Sequence, residues 1–134
     1  MQILLVDDDS PSVEALREML EYEGLHVVWV PNGLEALRRL REPNDYCVIL
    51  LDLMMPVLDG YGFREQQLQD PALASIPVIV ITADGQAREK AKQLGADVFF
   101  RKPISPPDLL RAIRQYCRYE PGPTASSTPN SPNS

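Results

Sequence analysis

Short, unbroken apolar runs alternate along this chain with stretches whose apolar residues recur every three or four positions. The runs lie at 3–6, 27–30, 47–51 and 78–81, with a shorter one at 98–100. They are rich in Val, Ile and Leu and show no polar alternation. That pattern suits strands buried on both faces, as in a parallel sheet. The stretches between them carry helix start and stop signals. Ser10-Pro11 opens the first, with a stripe of Val13, Leu16, Met19 and Leu20 and a stop at Gly24. Asn32 and Glu35 have capping-box spacing at the head of a second, whose stripe is Leu34, Leu37 and Leu40 and which ends before Pro43. A weaker helix is expected over 62–68 and a fourth over 84–94, closed by Gly95. Ser105-Pro106-Pro107-Asp108 is a strong start for the last, followed by Leu109, Leu110, Ile113, Tyr116 and Cys117.

Strand and helix therefore alternate five times over about residues 1–118. Such alternation with short loops predicts right-handed crossovers and an α/β fold, a parallel sheet covered on both sides. Residues 119–134 differ. From Pro121 onward there are four Pro, four Ser and no charge or large apolar side chain. This composition buries too little surface to order itself and reads as a tail or linker.

Composition narrows the function. Thirteen basic against nineteen acidic residues give a net charge of −6 in 134 residues, which argues against this domain alone gripping nucleic acid through phosphates. No apolar run approaches the ~20 residues of a membrane helix, and the opening Met-Gln-Ile-Leu-Leu-Val-Asp lacks the basic start of a signal peptide. With only Cys47 and Cys117, this favours a reducing cytoplasm and separate thiols over a disulfide scaffold. His26 is the only histidine, which leaves no zinc constellation.

In an open parallel α/β sheet, sites form beyond the carboxyl ends of the strands. Those ends carry Asp7-Asp8-Asp9, Pro31-Asn32, Asp52, Thr82-Ala83 and Lys102-Pro103. Asp7, Asp8 and Asp52 crowded at one edge would repel one another and titrate as a coupled set. A hard divalent cation relieves the repulsion, and Mg²⁺ suits a few carboxylates with retained waters and a phosphate oxygen. Lys102 adds a cation and Thr82 a hydroxyl donor. The set matches phosphoryl transfer to a carboxylate. No Gly-rich phosphate loop and no Ser/His/Asp set accompanies it.

Each residue alone has a plainer role. Asp7 to Asp9 can begin a helix, Asp52 can follow a strand, Thr82 can cap a helix and Lys102 can face water. It is the conjunction that points to chemistry. A haloacid-dehalogenase-type enzyme wants Thr or Val where Pro11 stands, and normally a longer chain. A flavodoxin-like carrier wants a hydroxyl-rich phosphate loop after the first strand, where three carboxylates would repel FMN phosphate.

The motifs Ile-Leu-Leu-Val-Asp-Asp-Asp (3–9), Leu-Asp-Leu-Met-Met-Pro-Val-Leu-Asp-Gly (51–60), Pro-Val-Ile-Val-Ile-Thr-Ala (77–83), Leu-Gly-Ala-Asp (94–97) and Arg-Lys-Pro (101–103) resemble the receiver domain of two-component response regulators. The resemblance covers about residues 2–118 and is chemotaxis-regulator-like. It implies a flavodoxin-like, doubly wound (βα)5 fold with strand order 2-1-3-4-5. It implies a signalling phospho-acceptor rather than an enzyme, promoting its own phosphotransfer and dephosphorylation. Asp52 would take the phosphoryl group from a sensor histidine kinase or histidine phosphotransfer protein. Asp8, Asp52 and the Met54 carbonyl would bind Mg²⁺ directly, and Asp7 mainly through water. Lys102 and Thr82 would contact the phosphoryl group, and the Lys102–Pro103 bond would be cis. Phe99 falls at the aromatic switch position, where tyrosine is frequent. A degenerate receiver is disfavoured, because all five acid, hydroxyl and lysine positions are filled. The fourth helix, fifth strand and last helix, with Arg111, Arg114, Arg118, Lys90, Lys92 and Arg101, are the expected surface for an effector or a second copy. The chain fits a stand-alone receiver and a piece of a larger regulator or hybrid kinase alike, and Pro103-Ile104 and Phe63-Arg64 with Gln67 and Asp70-Pro71 resemble stand-alone and hybrid-kinase receivers more than winged-helix regulators.

Overall fold

The computed structural model describes residues 1–83, 87–96 and 98–118. The expected start of the fourth helix at Asp84, the Asp97 of the 94–97 motif and the expected tail over 119–134 lie outside the described residues. Five strands alternate with five helices among them: β1 Gln2–Val6, α1 Ser10–Tyr22, β2 His26–Val30, α2 Gly33–Arg41, β3 Tyr46–Leu51, α3 Gly60–Gln69, β4 Val78–Thr82, α4 Ala87–Gln93, β5 Val98–Arg101 and α5 Pro106–Arg114. Every strand pair is parallel and the order is β2-β1-β3-β4-β5. The fold is the expected flavodoxin-like, doubly wound sheet.

The unbroken apolar runs reflect burial from two sides. Ile3, Leu5, Val27, Val48, Leu50, Ile79 and Ile81 pack on one face, against Val13 and Leu20 of α1 and Leu109 and Ile113 of α5. Leu4, Val6, Val30, Ile49, Leu51, Val78 and Val80 pack on the other, against Leu37, Leu40, Phe63, Ala87 and Ala91 of the remaining helices. Burying a side chain of this size contributes about 1.5–3 kcal/mol. A strand with a polar alternate position would forfeit that on one face.

Local signals explain most helix ends. Gly24 sits at φ +92° and Gly95 at φ +71°, the left-handed conformation that ends α1 and α4. The Asn32 side chain accepts from Glu35 N–H at 3.0 Å, and the Ser105 hydroxyl accepts from Asp108 N–H at 3.4 Å. The capping box at α2 is only half made. Glu35 pairs with Arg38 at 2.9 Å instead of reaching back to Asn32. One stripe position also differs from expectation: Leu34 remains 39% exposed while Ala36 is buried. α4 buries only Ala87 and Ala91, with Leu94 just past its end partly buried.

The expectation of two separate thiols does not hold. Cys47, at the start of β3, and Cys117, just past α5, are joined as a disulfide with their Cα atoms 5.3 Å apart. The final crossover lays α5 back over the face carrying β1 and β3, which brings together residues 70 positions apart. Closing a loop of that length removes about 4 kcal/mol of unfolded-chain entropy. No helix among the described residues is long and apolar enough to cross a membrane.

Candidate functional site

The carboxyl ends of β1, β3, β4 and β5 converge, and backbone bonds set their heights. Asp7 N–H donates to Val30 O at 3.2 Å, Asp52 N–H to Val6 O at 3.0 Å, and Lys102 N–H to Thr82 O at 2.9 Å. Each residue that leaves the sheet thus starts from its neighbour's last carbonyl. The Lys102–Pro103 bond is cis, as expected.

Asp7, Asp8 and Asp52 each place a carboxylate oxygen within 4.8 Å of the others. Asp7 and Asp52 are buried, whereas Asp8 is exposed. Lys102 joins the two buried acids, its ammonium 2.8 Å from Asp7 Oδ2 and 3.3 Å from Asp52 Oδ2. The other oxygens are also held: Asp7 Oδ1 accepts from Asp9 N–H at 3.0 Å and Asp52 Oδ1 from Met54 N–H at 3.1 Å. Asp9 takes the plain role. It stands at the N-cap position of α1, where its carboxylate accepts from the Ser12 hydroxyl at 2.7 Å and from no backbone N–H of the helix.

The electrostatics follow from this packing. Burial pushes the Asp52 carboxyl above the usual carboxylate range. Met54 N–H and Lys102 pull it down, the charge of Asp7 pushes it up, and the net direction is upward. Burial also acts on Lys102, lowering its affinity for the proton, but the hydrogen bond to Asp7 and the charges of both acids outweigh that and raise it. The ammonium is therefore a fixed cation between two carboxylates. Two buried acids, an exposed third and one lysine leave net negative charge at a point of convergent oxygens. That donor set is all oxygen and fits Mg²⁺.

Thr82 is the last residue of β4 and is buried. Strand alternation puts it on the side of Val78 and Val80, the side covered by α2, α3 and α4. Phe99, in register with Val80, packs into the same cluster and is half-buried. The Arg88 guanidinium lies 5.1 Å from the Phe99 ring centroid. Met54, whose carbonyl was the expected metal ligand, is 61% exposed in the loop after β3. An apolar groove of about 430 Å³ between α1 and α5 opens beside the acids, lined by Leu16, Met19, Ile104 and Leu109 and reaching Asp7 and Lys102.

Two supports are absent from the sequence expectations. The Trp29 indole N–H donates to the Asp7 carbonyl at 2.7 Å, so β2 fixes the backbone that aims the first acid. A polar network replaces the apolar face that α3 lacks. Arg64, 6% exposed, donates to Leu94 O at 2.9 Å, Gly95 O at 3.0 Å and Gln67 Oε1 at 2.7 Å. The Gln67 amide in turn donates to Leu73 O at 2.9 Å and Ile76 O at 3.1 Å. The low apolar content of 62–68 was the one sequence signal for this.

Comparison with known proteins agrees with this geometry. The family described as response regulator receiver domain matches residues 3–114. The chain is 37% identical over 131 residues to the probable transcriptional regulator ycf27 of Cyanophora paradoxa, covering 95% of this chain and 52% of that protein. It is 35% identical over 119 residues to an uncharacterized 14.6 kDa protein of Leptolyngbya boryana, covering 87% of this chain and 90% of that one. Among solved structures, it superposes with a TM-score of 0.79 and 30% identity on the receiver domain of the sensor histidine kinase PA1611 from Pseudomonas aeruginosa, covering 86% of this chain and 95% of that one. That structure carries a magnesium ion coordinated in its active-site cleft. The chain spans about half the length of some of the curated relatives it matches, ycf27 of Cyanophora paradoxa and the CpxR homolog of Haemophilus influenzae among them. On the fold, the acid-and-lysine edge and these matches together, the chain belongs to the receiver domains of two-component response regulators.

Proposed function

We propose that this domain accepts a phosphoryl group on Asp52 from a sensor histidine kinase or a histidine phosphotransfer protein, with Mg²⁺ as cofactor. The observation that carries the reading is the Asp52 carboxylate: buried, aimed by Met54 N–H and faced by the Lys102 ammonium at 3.3 Å. One Asp52 oxygen attacks phosphorus, and the P–N bond to the donor imidazole breaks. The bonding pair leaves with the imidazole nitrogen, which takes up a proton, and Asp52 is left as an acyl phosphate. Lys102 stays protonated and offers its charge to the phosphoryl oxygens.

Asp8, Asp52 and the Met54 carbonyl would hold Mg²⁺ directly, with Asp7 acting through water. The ion supplies positive charge that relieves carboxylate repulsion and offsets the charge of the phosphoryl oxygens. The Thr82 hydroxyl donates to a phosphoryl oxygen, and Phe99 changes burial on the same side of the sheet. The output surface is α4, β5 and α5, offered to an effector or a second copy. The lightly anchored α4 suits a movable element. The apolar groove beside Asp7 and Lys102 supports a phosphodonor that is itself a protein. The chain turns over no separate substrate beyond promoting its own phosphorylation and dephosphorylation.

The test is intact-mass measurement after incubation with acetyl phosphate. One phosphate per chain is expected with Mg²⁺ and none with chelator or in Asp52→Asn. Undiminished incorporation in Asp52→Asn overturns the assignment.

A further inference from the structure

We propose that Cys47 and Cys117 form a reversible thiol–disulfide couple that fastens the end of α5 to the sheet, oxidised by a small disulfide of the glutathione type. The pair lies at the opposite end of β3 from the acids. Asp52 stands five residues along, roughly 17 Å away. Oxidation there leaves the acid cluster's chemistry alone and acts on where the chain leaves the domain.

Three observations carry the proposal. The Cα atoms are 5.3 Å apart, so the folded backbone already presents the two sulfurs for bonding. These are the only cysteines in the chain, so oxidation within one molecule has a single outcome. The fold is also complete without the bond. β3 is paired on both sides, by β1 and β4, and α5 buries Leu109, Leu110, Ala112 and Ile113 of its own. Losing the bond therefore releases a turn rather than the domain.

The same placement sets access. Cys47 is 9% exposed and Cys117 3%, so exchange requires the turn over 115–118 to lift. That turn rests on Tyr116 N–H and Cys117 N–H, both donating to Ile113 O at 2.9 Å, and on Arg118 N–H, which donates to Met1 Sδ at 3.4 Å. A turn held by a few backbone bonds at the edge of the domain opens at lower free energy than the core. In the reaction, one cysteine thiolate attacks a sulfur of the small disulfide and releases one small thiol. The second cysteine displaces the other, forming the protein S–S bond. Two electrons pass to the oxidant, and the two thiol protons end on the two released thiols. Oxidised protein keeps residues 113–117 clamped to the inlet edge of β3. Reduced protein leaves them held by hydrogen bonds and packing alone.

The full chain is to be equilibrated across a series of glutathione redox buffers, quenched, alkylated under denaturing conditions and weighed. Monomer carrying either zero or two labels is expected, with a midpoint inside the series. Oxidised protein should melt roughly 5–15 °C above reduced protein, and amide exchange at 113–117 should rise on reduction. Cys117→Ser and Cys47→Ala should melt independently of the buffer. If either variant fails to fold, the oxidised and reduced wild type still supply the comparison. Two labels at every poise, zero labels even in strong reductant, covalent dimers, or unchanged exchange at 113–117 would each overturn the proposal. None of these readouts involves phosphate on Asp52, so the result is independent of the phosphotransfer reading.

Discussion

Gly60, the first residue of α3, lies against the backbone of Asp52: a Cβ placed on Gly60 would sit 2.5 Å from the Asp52 carbonyl oxygen and 2.7 Å from Leu53 Cα. Both contacts are with main chain, which cannot step aside as a side chain can. The Gly60 N–H also donates to Leu53 O at 3.1 Å, so the helix start is tied to the end of β3. Absence of a side chain at Gly60 is thus a condition for the position of Asp52. Gly60→Ala should destabilise the domain by about 2–4 kcal/mol and slow phosphorylation of whatever folds. Denaturant melts and initial labelling rates measure both, and a variant with wild-type values in each would contradict the relationship.

Asp52 holds its proton more tightly in the folded state than a free carboxyl does, with burial as the leading cause. Its ionisation therefore opposes folding. The penalty is absent below the ordinary carboxylate range of about 3.9, grows as pH rises from there to the folded value, and stays in full above it. Asp52→Asn removes the penalty and leaves Lys102 paired with Asp7 at 2.8 Å. In chelator, Asp52→Asn should melt several degrees above wild type at pH 7, and the gap should close near pH 4. A variant less stable than wild type at pH 7 would show that pairing with Lys102 outweighs burial.

The Arg64 guanidinium joins α3 to the carbonyls of Leu94 and Gly95, just past the end of α4. Arg64→Met keeps the volume but leaves Leu94 O, Gly95 O and Gln67 Oε1 without these donors. A loss of about 2–4 kcal/mol is expected, with faster amide exchange in α4 while β1 and β3 stay protected. Uniform loosening of the whole domain would instead mark Arg64 as a general packing residue.

Thr82 ends β4 on the side of the sheet where Phe99 packs. On the proposed function, Thr82→Ala should reduce labelling of Asp52 little, because attack on phosphorus uses Asp52 and Lys102. It should, however, uncouple labelling from the surface response. Amide shifts with and without beryllofluoride are expected over α4, β5 and α5 in wild type and to be largely lost in Thr82→Ala. Wild-type shifts confined to α1 and α2, or a full response without the hydroxyl, would rule out this route.

Much of this architecture was legible because it depends on interactions close in sequence or repeated along it. Burial on both faces demands unbroken apolar strands, so five strands could be read from the apolar runs alone. Gly24, Gly95, Asn32 and the Ser105 start act within one helical turn, and their effects needed no tertiary information. The acid-and-lysine edge was legible for a related reason. In a parallel sheet, all strands end at the same side, so the residue type at each strand's end predicts the site's contents.

Tertiary structure alone decided what depends on distances between remote segments. Glu35 turned to Arg38, and Leu34 stayed exposed while Ala36 was buried, because the angle at which α2 meets the sheet selects among neighbouring positions. Arg64 and Gln67 found their acceptors at residues 73 to 95, a network that helical periodicity cannot express. Trp29 reached Asp7 across 22 residues. Cys47 and Cys117 looked like two unrelated thiols until the last crossover set them side by side. Periodicity reports which face of an element is buried. Which atoms it meets there is fixed only when every element has docked.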